Sequence, residues 1–182
     1  MPIEHAPFSQ EEYNRRLSIT RAAMVTAGID LLFVTDPSNQ AWLTGYDGWS
    51  FYVHQGVLLG LEGDPLWWGR EMDANGARRT VWMEDEQVLA YDDSYVQSTS
   101  RHPMQDLAQK LCEMGQDKAR IGVEMENYYY SAKAHAVLTA TLPNASFADA
   151  TALVNWQRGV KSAEEMTFIR KAARISEKIV RL

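Results

Sequence analysis

Two short apolar runs separated by three turn residues set the strongest limit on what this chain can fold into. Residues 56–61 and 66–68 flank Glu62-Gly63-Asp64, the pattern of a β-hairpin. A hairpin pairs its strands antiparallel, so a sheet that contains it cannot be all parallel. Around it, other runs of strand length (29–34, 88–91, 121–125 and 146–148) alternate with stretches of helical period. The first helix is announced by Ser9 with Glu12 three residues on, a capping-box pattern. An apolar stripe of Tyr13, Leu17, Met24 and Ala27 follows, and Gly28 is placed to end it. Further helices are expected over 37–43, 70–81, 103–114 and 131–142. The alternation predicts an α/β domain with a mixed β-sheet covered by helices. No internal repeat is present.

Residues 36–55 stand apart from this pattern. They carry Trp42, Tyr46, Trp49, Phe51 and Tyr52, interrupted by Gly45 and Gly48. Large rings on a turn-rich connection offer contact area at low entropic cost, which predicts a recognition loop on a scaffold. Core and sheet-edge packing is the competing reading for each ring taken singly. Alternation along an extended segment forbids Phe51 and Tyr52 from facing one site, which favours Phe51 with Trp49 on the same side. His54 is the one histidine inside this stretch, available for a ligand contact or for a structural hydrogen bond.

At 182 residues the chain has room for one full domain and a remnant. Its 46% hydrophobic and 23% charged residues are those of a soluble globular protein. It contains no apolar run of spanning length, no charged-then-apolar leader and no polybasic patch. Together these predict a cytoplasmic protein with neither membrane nor nucleic acid as partner. The net charge of −6 is unevenly spread: residues 158–182 hold seven basic and three acidic residues, a local +4, which leaves −10 on the first 157. Ser162 and Glu165 form a second capping-box pattern. Met166, Ile169, Ala172, Ala173, Ser176, Ile179 and Val180 then mark one face of a helix that runs to Leu182 without a terminal glycine or proline. The expected organisation is a domain over 1–157, with 158–182 as linker and first helix of a further domain.

Catalytic signatures are lacking. His5, His54, His102 and His135 have no spacing that puts two ligands on one helix face, and the single Cys112 reads as a buried thiol on a helix. No G-x-S-x-G, P-loop or G-x-G-x-x-G occurs. The residues therefore predict no catalytic group, no metal site and no cofactor in this chain. Tyr128-Tyr129-Tyr130 is expected to pack at the start of the helix that follows.

The junction Val160-Lys161-Ser162-Ala163-Glu164-Glu165-Met166, followed by Ile169-Arg170-Lys171-Ala172, resembles the segment joining the two domains of the creatinase and prolidase (pita-bread metallohydrolase) superfamily. The likeness covers essentially the whole chain and implies the N-terminal-domain fold of that superfamily. Within it, the stretch from Asp36 and D-A-N-G-A from Asp73 are similar to the ectoine hydrolases. So are Y-V-Q-S-T from Tyr95, R-H-P-M from Arg101, G-V-E-M-E-N-Y-Y from Gly122 and D-A-T-A-L-V-N-W-Q-R from Asp149.

What the resemblance implies is a substrate-capping and dimerisation domain of a homodimeric hydrolase. That enzyme would open the cyclic amidine ectoine to N-acetyl-L-2,4-diaminobutyrate, with any divalent metal held by its own C-terminal domain. Phe51 falls where creatinase places a ring in its partner's active site, whereas Val53 stands where creatinase has an arginine, which speaks against creatine. Trp49, Phe51, Tyr52 and His54 are the candidate substrate-binding residues. An Xaa-Pro dipeptidase, a creatinase-like amidinohydrolase and a non-catalytic ectoine-binding module are the alternatives.

Overall fold

All four residues of strand β1 (Leu31–Val34) are buried, because the strand lies in the middle of a sheet with helices on both faces. The computed structural model describes residues 6–181; His5 and Leu182 lie outside them. In chain order the elements are α1 (Gln10–Ala27), β1, α2 (Pro37–Thr44), β2 (Gly56–Gly60), β3 (Leu66–Arg70), α3 (Glu71–Thr80), β4 (Val88–Tyr91) and α4 (Pro103–Glu113). They continue with β5 (Arg120–Val123), α5 (Ala132–Thr141), β6 (Ser146–Asp149), α6 (Leu153–Gln157) and α7 (Ala163–Val180). The sheet order is β4-β3-β2-β1-β5-β6. β2 runs antiparallel to both β1 and β3, and every other pairing is parallel. The expected mixed α/β sheet is therefore present, with the hairpin at its centre.

Alternation along the strands separates two cores. Leu32, Val34 and Trp67 face α1, α2 and α3, whereas Leu31, Phe33 and Trp68 face α4 and α5. Trp67 and Trp68 are consecutive, both fully buried, and fill opposite faces. Truncating either would cost about 3–5 kcal/mol.

Five strands run one way, so their carboxyl ends share one edge of the sheet. The loops 45–55, 92–102 and 124–131 gather there, in the position where open α/β sheets offer a crevice for ligands.

Three expectations change, and one helix was not expected. The Ser9 box is only half made: Ser9 Oγ accepts from Glu12 N, but the reciprocal bond to Ser9 N comes from Glu164, because Glu12 is held by Arg15 and Arg16. Cys112 is exposed, since the buried face of α4 is carried by Met104, Leu107, Ala108 and Leu111. Helix α6 has no signal in the sequence; it follows Ala152 in the left-handed region (φ 61°) without a side-chain cap. Trp42 and Tyr46 belong to the core and not to a recognition surface.

Candidate functional site

The loop from Gly45 to Gln55 is aimed by its glycines. Gly45 has φ +80°, and a Cβ there would sit 2.8 Å from the Tyr13 hydroxyl. A Cβ on Gly48 would meet the Tyr46 hydroxyl, also at 2.8 Å, so the chain passes over a buried tyrosine with no room for a side chain. Beyond that point the rings turn outward: Trp49 is 59% exposed, Phe51 80% and Tyr52 64%. Trp49 and Phe51 pack edge to face with ring centroids 6.2 Å apart, and Trp49 and Tyr129 do so at 6.3 Å. Tyr129 N in turn donates to Asn127 Oδ1 at 2.9 Å, a short turn that holds the second ring-bearing loop. Of the three consecutive tyrosines only Tyr130 packs into the core, against Phe33 and His135. Tyr128 is fully exposed beside Tyr129.

The four candidate residues do not form one cluster. Trp49 and Phe51 come together with Tyr129, while Tyr52 and His54 line a separate cavity of about 170 Å3 with Tyr95, Arg101 and His102. The backbone there forms bends and no strand, so the alternation argued for an extended segment does not apply; Phe51 and Tyr52 are parted by the bend. His54 is partly buried, and Tyr91 donates its hydroxyl to the His54 carbonyl at 2.7 Å. Burial lowers the His54 pKa, a hydrogen bond with the Tyr129 backbone opposing it. His102, whose ring centroid lies 5.0 Å from that of His54, is pushed down to about 4 by burial, then by His54 and Lys133. Both imidazoles are neutral at pH 7.

Beneath the loops lies a carboxylate that the sequence analysis passed over. Glu124 Oε2 accepts from Thr35 N at 2.6 Å and from Asp36 N at 2.7 Å, and its Oε1 accepts from Asn39 Nδ2 at 2.6 Å. Burial pushes its pKa up although these bonds oppose it. It joins the end of β5 to the start of α2, and Asn127 Nδ2 reaches it at 3.4 Å, which connects the Tyr129 turn to the same anchor. Asn39 extends the network to Asn155 and Arg158. With these donors gathered on it, Glu124 ties the loops at the sheet edge together.

A second buried carboxylate, Glu165, lies in the first turn of α7. It accepts from Trp42 Nε1, from Arg16 Nη2 and from Ser162 N, which also completes the expected Ser162–Glu165 box. Arg16 is fully buried, bonds Glu12 and the Trp42 carbonyl, and lies 3.9 Å from the Phe8 ring centroid. The type of residue was visible in the sequence here, but a single Arg or Glu in an amphipathic helix carries no mark of whether its partner is 150 residues away.

Among the described residues no group of three or more His, Cys, Asp and Glu could hold a metal ion, and no helix is long and apolar enough to cross a membrane.

Known proteins share this fold. Residues 16–160 match the model of the Creatinase/Prolidase N-terminal domain. The ectoine hydrolase of Halomonas elongata is 55% identical over 170 residues, 93% of this chain and 43% of that protein. An uncharacterized hydrolase/peptidase of Sinorhizobium fredii is 42% identical over 96% of this chain and 45% of its own length, so the chain spans less than half of these curated relatives. Among solved structures, the Xaa-Pro dipeptidase from Bacillus anthracis superposes with a TM-score of 0.72 at 16% identity, covering 93% of this chain and 42% of that one. A proline dipeptidase from Streptococcus pneumoniae gives 0.63 at 20% identity over 80% of this chain and 98% of that one. At such identities these structures speak for the fold alone. By fold, topology and sequence, this chain belongs to the Creatinase/Prolidase N-terminal domain family.

Proposed function

We propose that the chain is the substrate-capping and dimerisation domain of a cytoplasmic, homodimeric hydrolase that opens ectoine or a related cyclic amidine. In this reading residues 1–157 form that domain. Residues 158–182 are the linker and first helix of a catalytic domain that supplies the acid–base groups and any metal. Hydrolysis adds water to the amidine carbon and breaks one ring C–N bond, giving the acetamide and the free amine of N-acetyl-L-2,4-diaminobutyrate.

The observation that carries the proposal is the exposed Trp49–Phe51 pair at the carboxyl edge of the sheet, braced by Tyr129. Two large rings held outward by glycines and by a neighbouring loop are costly in a domain that works alone, and they suit a cation. The amidinium of ectoine delocalises its charge, and aromatic faces attract such a cation by about 0.5–2 kcal/mol per ring depending on desolvation. The identity shared with the Halomonas enzyme directs the choice toward ectoine.

The test is turnover by the full-length protein of ectoine, creatine and a Gly-Pro dipeptide side by side. Ectoine should be hydrolysed with the highest kcat/KM. Preference for the dipeptide would replace the proposal with a peptidase, and binding of ectoine without turnover would reduce it to a binding module.

A further inference from the structure

The cavity between residues 52–54 and 95–103 has no part in the role given to Trp49 and Phe51. Its polar lining includes Tyr52, His54, Ser98, Arg101 and His102, and among the described lining residues there is no carboxylate. His102 Nδ1 accepts from Met104 N at 3.2 Å, so in the neutral ring Nε2 carries the proton. Arg101 donates from Nη1 to Ser94 Oγ at 2.9 Å and lies over the Tyr95 ring, while its side chain makes no further hydrogen bond among the described residues. Lys133, on α5, adds positive field at His102. Asp92 feels the charge of Arg101, and its carboxylate is already bonded to Ser94 N at 2.8 Å. The wall is also held in an unusual conformation: Gln97 has φ 52°, a left-handed backbone that a non-glycine residue adopts only when its surroundings hold it there.

Two imidazoles and a guanidinium around one small space form a set of donors that a bound anion would complete. The volume of about 170 Å3 admits a carboxylate with a few carbons attached. We propose that this cavity is a carboxylate-binding subsite, with Arg101 as the principal cation and His54 and His102 as donors once an anion is present. Tyr52 directly follows Phe51, which places the subsite next to the exposed rings along the chain. Because Trp49 and Phe51 do not line this cavity, its ligand is a small carboxylate distinct from the cation held at the ring pair of the function proposed above.

Sodium acetate is the probe, titrated into the full-length protein against sodium chloride at matched ionic strength. The His54 and His102 rings are followed by NMR after selective 13C-histidine labelling. Acetate should shift both resonances saturably, Arg101→Gln should weaken saturation at least tenfold, and Arg101→Lys should retain part of it. Non-saturating shifts shared with chloride, or saturation indifferent to Arg101→Gln, would overturn the subsite. Ectoine is then added as a competitor. Ectoine should leave the acetate shifts in place, and its displacement of acetate at matched ionic strength would overturn the separation of this subsite from the ring pair.

Discussion

Trp42 Nε1 donates a 2.7 Å hydrogen bond to Glu165 Oε1 across 123 residues of sequence, and Arg16 Nη2 shares the same oxygen at 3.2 Å. The first turn of α7 is thereby anchored in the core of the domain that precedes it. Glu164 strengthens the joint by accepting from both N and Oγ of Ser9, so the N-terminus of α1 is capped in part by α7.

Glu165→Ala should destabilise the chain by about 2–4 kcal/mol, since it leaves the Trp42 indole unpaired and removes one carboxylate from a fully buried arginine. Glu164→Ala, which removes only an exposed cap, should cost about 1 kcal/mol. Urea denaturation of the two variants measures both numbers. Equal losses would mean that the buried bonds carry no special weight.

Beyond Phe168, which meets Phe8 at 5.1 Å, α7 leaves the domain: Ile169, Ile175, Ile179 and Val180 are exposed along it. An isolated helix of 18 residues is marginal on propensity alone. In the monomeric 182-residue chain, amides of the first two turns should therefore be protected from hydrogen exchange, and those from residue 172 onward should exchange rapidly. Protection sustained through Arg181 at monomeric dilution would contradict this.

His102 gives the chain a pH dependence of definite sign. The neutral ring caps α4 by accepting from Met104 N; protonation removes the acceptor and places a cation at a helix N-terminus, where the dipole disfavours it. Its pKa is held down to about 4 by burial, His54 and Lys133, below the 6.5 of an ordinary histidine. The unfolded chain therefore binds more protons in this window. The stability His102 contributes is complete above about pH 6.5 and is lost as pH falls through about 4. His54 acts with the same sign, whereas Glu124, whose pKa burial raises, opposes it. His102→Asn keeps a cap without a titrating ring, so its denaturation midpoint should fall less than that of the wild type between pH 6.5 and pH 4. Identical slopes would remove His102 as the cause.

Tyr129 is expected to act on Trp49 by its ring and not by its hydroxyl, for the contact is edge to face. Tyr129→Phe should leave the environment of Trp49 unchanged. Tyr129→Ala should cost about 0.5–1.5 kcal/mol of ring contact and free the indole, visible as a shift of the Trp49 signal in 5-fluorotryptophan NMR. An unmoved signal would show that the loop orders itself without the second loop.

Much of this architecture could be read in advance because its punctuation is local. Ser9, Pro37, Pro103, Ser131 and Ser162 each stand at a helix start, and Gly28 and Gly45 at helix ends. The hairpin around Gly63 likewise declares the antiparallel pairing. The site was half legible. Exposed rings at 49, 51 and 52 followed from their setting among glycines, but their division into two groups depends on Tyr129 and His102, which reach the sheet edge from other loops. Glu124 could not be recognised at all, because two of its partners are backbone N–H groups 88 and 89 residues distant, and backbone donors carry no sequence signature.

The role of Phe51 provides the sharpest test of the proposed function. At 80% exposure it contributes little to the core, so Phe51→Ala should change stability far less than the 3–5 kcal/mol typical of a buried phenylalanine. If its ring faces the bound amidinium, loss of about 1–2 kcal/mol should raise the Michaelis constant for ectoine roughly 5- to 30-fold. Whether the loop serves its own subunit or its neighbour requires a heterodimer. One subunit carries Phe51→Ala together with an inactivated catalytic domain, and the other is wild type. The only working catalytic domain then belongs to the wild-type subunit. If loops act across the dimer, that domain meets the altered loop, and the Michaelis constant rises as in the homodimeric variant. If each loop serves its own subunit, the domain keeps its intact ring and wild-type kinetics per active site. Wild-type kinetics from this heterodimer would end the trans arrangement while leaving the cation-binding role of Phe51 to the homodimer measurement.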